Sequence, residues 1–560
     1  MLTGRKQWII IDTVLLGVVG ALSAQAFTLM LKGAETLFLH GLAGYSPPGL
    51  PDEGGVLKQV IGSHGLWLIP LATTVGGLIS GILVYSLAPE AEGHGTDTAV
   101  KAFHRAAGMI RARVAPLKAV ASAITIGSGG AAGREGPTAL MSAGIGAIYA
   151  SLTKRSDEDR RLLVLVGMAA GLAAIFRSPI GTAIFAIEVL YADMEFEAAA
   201  LLYTMLGSLV AYVINGVFVG WKPLFQVPPG LSVPVFTDYI WYAVLGVGSG
   251  MVATLLPVVF YGMRDLFHKI PLPPHVKPAI GGFCVGLLAL VLPQVLGGGY
   301  GWIQEAINGR LSVMLLLALI FAKMLAFALS VSSGGSGGVF APSLVVGGMA
   351  GGFMAELFHQ PPAAFVIVGM AAVFGGAARV PIATLLMVTE MTGGYQLLVP
   401  AALAVMLSYL VQTVLSSPFK YRSLYEAQMP SRADSPAHEM ENFCIALDQM
   451  CRPWVCEPGR VCHLDLMTLL KSGVSVNLSE EKQLSIGILR PESPWVGKPA
   501  KSRSSEGLGG EFELIAILRA GQILLPHPDT LLQAGDRLLA ITAPHGEKLF
   551  ERHLAPLPSQ

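Results

Sequence analysis

Charge is what this sequence has least of: only 13% of its 560 residues are Asp, Glu, Lys or Arg, against about 25% in ordinary soluble domains. With 53% hydrophobic residues, so little charge excludes a water-soluble globular protein and implies one embedded in a bilayer. Lysine plus arginine and aspartate plus glutamate both total 37, so there is no positive excess to hold nucleic acid. Cysteine is scarce as well. The five thiols are odd in number and four of them fall after residue 440, which excludes a disulfide framework. Only Cys451 and Cys456 have a spacing within the structural zinc range, and no second such pair follows. The cluster Cys444, Cys451, Cys456, Cys462 and His463 is therefore expected to hold reduced, buried thiols and no metal, and no cofactor is expected.

Glycine is abundant, at 66 residues, which suits close helix packing and interrupted helices in lipid. Apolar segments follow one another to about residue 416. Trp8–Leu31, Leu66–Leu87, Leu201–Val219, Tyr239–Gly262, Leu311–Val331 and Leu397–Leu415 are long enough to span. Gly4-Arg5-Lys6 and Ala24-Gln25-Ala26 imitate a secretory signal, but the apolar run continues to Leu31, so an uncleaved first helix with a cytoplasmic start is expected. Pro116–Ile126, Leu162–Ile175 and Pro179–Tyr191 are short and point to half-helices that end near the midplane and line a polar path. Tyr45–His64 and Lys154–Arg161 are expected to be polar loops, the second solvated because of its dense charge.

The chain repeats itself. Val166-Gly-Met-Ala-Ala170 recurs as Val368-Gly-Met-Ala-Ala372, Arg177-Ser-Pro-Ile180 as Arg379-Val-Pro-Ile382, and Glu188 as Glu390, all at one offset of 202 residues (368 − 166, 379 − 177, 390 − 188). Upstream, Gly133-Arg-Glu-Gly-Pro137 faces Gly338-Val-Phe-Ala-Pro342 at an offset of 205 (342 − 137). The membrane part is therefore expected to be two related halves, roughly 60–225 and 270–425, with the site between them. Spacing alone leaves open whether the halves are inverted.

Glu135 and Arg134 form an ionisable pair inside the apolar, glycine-rich run 127–138, and Pro137 opens the next apolar segment. Proline fits the first turn of a helix, so Glu135 is placed at a helix N-terminus within the membrane. Free N–H groups and a partial positive charge attract anions there. A carboxylate tethered at that point would occupy an anion's place and yield it on protonation, and intramembrane charge is expensive enough to be functional by default. A paired surface-loop glutamate is the bland alternative. Each half supplies one such break followed by proline, so two helix N-termini are expected to converge on one anion site.

These residues resemble the chloride channel and transporter (CLC) family. Gly93-His-Gly-Thr-Asp97 stands in the place of its first motif, Gly133-Arg-Glu-Gly-Pro137 is the second and Gly338-Val-Phe-Ala-Pro342 the third. Ser423-Leu-Tyr425 and Leu292-Pro293 to Gly297-Gly-Gly-Tyr300 are also family-like, and the likeness covers roughly residues 9–428. The resemblance implies an all-α polytopic membrane protein with two internally repeated halves, assembled as a homodimer with one anion pathway per subunit. It also implies a plasma or inner membrane location with both termini cytoplasmic. Glu135 would be the gate. Val339 and Phe340 would offer backbone N–H groups and Tyr425 its hydroxyl, with His94, Gly95, Arg134 and Gly136 beside them. Two departures stand out: His94 and Asp97 replace the first motif's usual serine and proline. Family exchangers often carry a second glutamate after the position of Glu188, and this chain has Val189 there. That favours channel-like or weakly proton-coupled chloride conduction, with chloride/proton antiport as the alternative. Glu135, Glu188 and Glu195 are the candidate proton carriers.

After a linker over 429–486 the pattern changes to short strands, Glu513–Leu518, Gln522–Leu525 and Arg537–Ile541. Residues 487–556 resemble the TrkA-C (RCK C-terminal) module, a small α+β soluble domain, which implies a regulatory role with a small-molecule ligand. Two remoter functions were weighed. Gly334-Gly-Ser-Gly337 matches a serine nucleophile pattern with His359 the downstream membrane histidine, and Gly297-Gly-Gly-Tyr-Gly301 echoes a potassium filter with no counterpart in the other half.

Overall fold

The structure, a computed structural model, describes residues 4–228, 231, 235–432, 434–438, 476–479, 482–500, 512–519, 522–524, 526, 530–542 and 554–555. The cysteine cluster at 444–463 lies outside them. Residues 1–430 and 431–560 form separate compact units.

The first unit holds sixteen α-helices among the described residues. Eight lead: α1 Gly4–Glu35, α2 Ile69–Leu87, α3 Thr96–Arg105, α4 Val114–Gly127, α5 Glu135–Leu152, α6 Asp157–Phe176, α7 Pro179–Glu188 and α8 Leu201–Val219. Eight more follow in matching order: α9 Phe236–Lys269, α10 Lys277–Val291, α11 Tyr300–Ile307, α12 Val313–Val331, α13 Phe340–Leu357, α14 Pro362–Ala378, α15 Pro381–Thr392 and α16 Leu398–Ser416. Eight helical stretches are long and apolar enough to cross a membrane. Others, such as α4 and α7, are apolar but short, as interrupted spans require. A two-residue pairing, β1 Tyr45–Ser46 with β2 Val60–Ile61, folds the loop after α1 inward, and Tyr45 is fully buried.

The repeat is written into the backbone as well as the side chains. Arg177 and Arg379 close α6 and α14 in the left-handed region, at φ +54° and +55°. Lys154 and His359 do the same beyond α5 and α13, at φ +53° and +54°. Such conformations are uncommon for non-glycine residues, so their recurrence at equivalent positions shows one architecture used twice. The halves are inverted. Glu188, at the end of α7, accepts the amides of Ile382 (3.1 Å) and Ala383 (2.6 Å) at the start of α15. Glu390, near the end of α15, accepts the amides of Ile180 (3.2 Å) and Gly181 (2.9 Å) at the start of α7. Only antiparallel helices can cap each other in this way.

One expectation holds only in part. Lys154, Ser156, Asp157 and Glu158 are exposed as expected, but from Asp157 onward the charged run is the first turn of α6: Ser156 caps it by accepting the Asp159 amide at 3.1 Å, and Asp159 and Arg160 are buried. The Arg160 guanidinium reaches the Ala107 carbonyl at 2.8 Å, which satisfies it inside.

In the second unit a six-stranded antiparallel sheet is built from β3 Val476–Ser479, β4 Lys482–Leu489, β5 Phe512–Arg519, β6 Gln522–Leu524, β7 Arg537–Thr542 and β8 Leu554–Ala555. The order is β3-β4-β7-β5-β6, with β8 paired to β4. Leu489, Trp495, Ile517, Leu532 and Leu538 form its core. Arg519 clasps the buried Asp536 carboxylate with two bonds of 2.8 Å, which pushes its guanidinium above its usual range.

Candidate functional site

Three glycine-rich breaks meet at the centre of the first unit. Gly133 and Gly338 exchange backbone hydrogen bonds, Gly133 N to Gly338 O at 2.8 Å and Gly338 N to Gly133 O at 2.6 Å. This pins the starts of α5 and α13 together. Gly93 bridges to the second half through Gly335 O (3.1 Å) and the Gly337 amide (3.2 Å). Close approach explains the glycines. A Cβ on Gly136 would lie 1.9 Å from the His94 carbonyl oxygen.

Glu135 opens α5 and is 2% exposed. Its carboxylate lies at the mouth of α13, where the Ala341 amide reaches Oε2 at 3.4 Å, and the Tyr300 hydroxyl donates to Oε1. Both donors lie in the second half. Ala341 and Tyr300 each lie within a motif already named, but neither was assigned a contact with Glu135. Val339 and Phe340 begin α13 at the same mouth. Arg134 turns outward. Its guanidinium pairs with Glu53 at 2.5 Å and covers the Tyr300 ring at 5.0 Å. Burial opposes ionisation of Glu53, and Arg134 outweighs it, holding that loop carboxyl below its usual range. Beyond Arg134 a cavity of about 150 Å³ is lined by Lys32, Glu35, Pro48, Glu53, Tyr300 and Trp302, among others.

An aromatic series leads away from Glu135. Phe340 packs on Phe374 at 4.3 Å between ring centroids, Phe374 faces Tyr425 at 6.5 Å, and Tyr425 faces His94 at 5.4 Å. His94 and Tyr425 are both buried, at 5% and 2%. Asp97, the second unusual residue of the first motif, accepts the amides of Glu426 and Ala427, each at 3.2 Å, and pairs with His94 Nε2 at 3.2 Å. It therefore ties the first break to the tyrosine-bearing segment after α16. Gly95 precedes α3 at φ +86°.

Two buried lysines hold the breaks open, and the sequence reading passed over both. Lys118 Nζ donates to the Ala91 (2.9 Å) and Gly93 (2.6 Å) carbonyls, and Lys323 Nζ to those of Val295 (2.8 Å) and Gly297 (2.7 Å). They are repeat equivalents, so Gly297-Gly-Gly-Tyr300 does have a counterpart, Gly93-His-Gly-Thr96. An ammonium on the Gly297 carbonyl places a fixed positive charge at the start of that segment, which argues against a cation filter there. The serine pattern fails on geometry too. Ser336 donates to the Ala91 carbonyl at 2.9 Å, whereas His359 lies past the far end of the 18-residue α13, about 27 Å long. Glu188 is engaged as the cap described above, and Glu195 is half-buried in the connection from α7 to α8. Val189 is fully buried.

Comparison with known proteins agrees with this arrangement. The family profile described as "Voltage gated chloride channel" matches residues 76–413, and that described as "TrkA-C domain" matches residues 488–555. The chain belongs to the voltage-gated chloride channel (CLC) family. A curated relative, the H(+)/Cl(-) exchange transporter ClcA of Salmonella gallinarum (strain 287/91 / NCTC 13346), is 30% identical over 405 residues, 69% of this CLC chain and 85% of the relative. Two solved structures share the CLC fold at 22% identity. A slow cyanobacterial Cl-/H+ antiporter gives a TM-score of 0.64, covering 74% of this chain and 96% of that one. A CLC-type fluoride/proton antiporter gives 0.65, covering 77% and 100%.

Proposed function

We propose that this protein exchanges chloride for protons across the membrane, with Glu135 as the gate. The observation that carries the proposal is the Glu135 carboxylate seated at the N-terminus of α13, held by donors from the opposite half. An anion suits that position because amide dipoles converge there without a full positive charge. The tethered carboxylate competes for it as an anion and gives way once protonated, so one side chain links the two ions. The amides of Val339, Phe340 and Ala341 serve the outer position, with Gly136 allowing the close approach. The Tyr425 hydroxyl and His94 serve the inner one, which Gly95 shapes. Arg134 holds the outer entrance through Glu53.

Val189 in place of a second carboxylate favours a channel. Antiport is preferred because the curated relative that spans most of this chain carries an exchanger's name. Glu188 is assigned to helix capping and Glu195 to the inner surface, neither to proton carriage. The working unit is a homodimer in a plasma or inner membrane, with both termini cytoplasmic. The C-terminal unit is assigned regulation on its TrkA-C match.

The test is chloride efflux from proteoliposomes with simultaneous proton recording. Antiport drives protons inward against their gradient as chloride leaves. Chloride efflux without proton movement identifies a channel. Glu135→Gln is expected to abolish proton movement and the pH dependence of chloride flux, and unchanged pH dependence would remove Glu135 from the gate.

A further inference from the structure

Within that antiport reading, Val189 is apolar and Glu188 is spent on α15, so neither position offers a free carboxylate to the inner end of the pathway. The imidazole of His94 lies beside Tyr425 there. His94 is 5% exposed; Nε2 pairs with Asp97 at 3.2 Å, and Nδ1 is buried without a hydrogen-bond partner among the described residues. An orphaned polar atom at such a depth is costly unless a ligand completes it. The ring's neighbours are Tyr425 and Phe260, with centroids at 5.4 and 6.1 Å, so the orphan lies on a ring that packs directly against Tyr425.

We propose that the His94–Asp97 pair is a proton site that converts His94 into an anion ligand. With Asp97 accepting from Nε2–H, neutral His94 presents a lone pair at Nδ1, which repels chloride. A proton taken from the inner solution at Nδ1 turns the ring into an imidazolium with a second donor. Asp97 balances the added charge, and the bound anion completes the Nδ1–H bond. Proton and anion then stabilise each other by the same factor. The surrounding charges are few. Lys118 of α4, bonded to the Gly93 carbonyl at 2.6 Å, opposes the imidazolium, as the anion and Asp97 favour it. Glu92 stands near Lys118, Glu135 lies on α5, and Tyr261 and Arg264 of α9 face the turn at Glu426, Arg264 neutralising Glu426 at 2.6 Å.

The experiment is calorimetric titration of chloride into the purified full-length Glu135→Gln protein at pH 8 and pH 5.5, in buffers of different ionisation enthalpy. The Glu135→Gln background removes the gate's own titration. A charge-assisted bond gained at low pH implies roughly tenfold tighter chloride binding, with net proton uptake on binding. Adding His94→Ser is expected to erase both effects. His94→Gln, which fills the space without titrating in this range, gives the same answer if the serine variant does not fold. Asp97→Asn should move the tightening to lower pH, a shift that a merely structural Asp97 would not produce. Chloride binding that is independent of pH in Glu135→Gln, or pH dependence that survives both His94 variants, overturns the assignment. Absence of chloride binding at either pH instead sinks the anion-pathway reading on which it rests.

Discussion

Tyr300 and Ala341 grip the Glu135 carboxylate from the half of the chain that does not contain it. The two donors differ in kind. An amide at the mouth of a helix is fixed by the fold, whereas the phenol can be deleted by a single atom. Tyr300→Phe keeps the ring under Arg134 and against Phe225 while removing a hydrogen bond to a charged group. Such a bond is worth about 1.5–3 kcal/mol. The loss favours the protonated, released carboxyl, so chloride turnover at a fixed pH is expected to rise several-fold and the flux–pH curve to move to higher pH. Stopped-flow or electrode recording of efflux between pH 4.5 and 7.5 checks both. A profile identical to that of the parent would reduce Tyr300 to packing. The place of Glu135 at a helix start within the membrane part was legible, because an acid between glycines in an apolar run has few explanations. Its tyrosine partner was not: nothing in the linear sequence ties position 300 to 135, since the contact exists only after the halves interlock. Asp97 was visible as an oddity, but its job depends on the backbone at 426–427.

At the scale of elements, the capping of α7 and α15 by Glu390 and Glu188 decides what these acids do. Each carboxylate satisfies amides that lipid leaves without water, and an unsatisfied buried donor costs about 1–3 kcal/mol. Glu188→Gln keeps one acceptor oxygen and loses the charge, so the apparent unfolding temperature in detergent is expected to fall by several degrees. The ratio of protons to chloride should stay unchanged in reconstituted vesicles. A changed ratio with unaltered stability would make Glu188 a proton carrier instead. The repeat announced Glu188 and Glu390 as equivalents, yet equivalence does not say that each caps the other's helix. The same limit explains why the Lys154–Arg161 run is read only half rightly, its Asp159 and Arg160 being buried. Charge density argued for water, while Ser156 followed by acids at 157–159 was already a helix-start signature. The lysines were lost for a related reason. A lone lysine in an apolar helix carries no mark of the carbonyls waiting for it, although Lys118 and Lys323 share the repeat offset of 205 residues (323 − 118) seen for the proline motifs.

For the molecule as a whole, the decisive property is inversion. Two halves of opposite orientation, as the mutual capping of α7 and α15 shows, bring the starts of α5 and α13 together, which is how two positive helix ends come to share one carboxylate. A tandem duplication without inversion would point both ends the same way and leave the pathway lopsided. The claim has a consequence far from the centre. Lys154 and His359 occupy equivalent exposed positions just past the ends of α5 and α13, with the same left-handed backbone. Inversion places them on opposite faces of the bilayer. Lys154→Cys and His359→Cys, each in a background without the five native cysteines, are expected to react with a membrane-impermeant maleimide from opposite sides of sealed, uniformly oriented vesicles. Both variants need chloride flux near that of the background to qualify. Labelling of both from one side would mean that the capped pair α7 and α15 is not the signature of an inverted repeat, and the shared anion mouth would lose its structural basis.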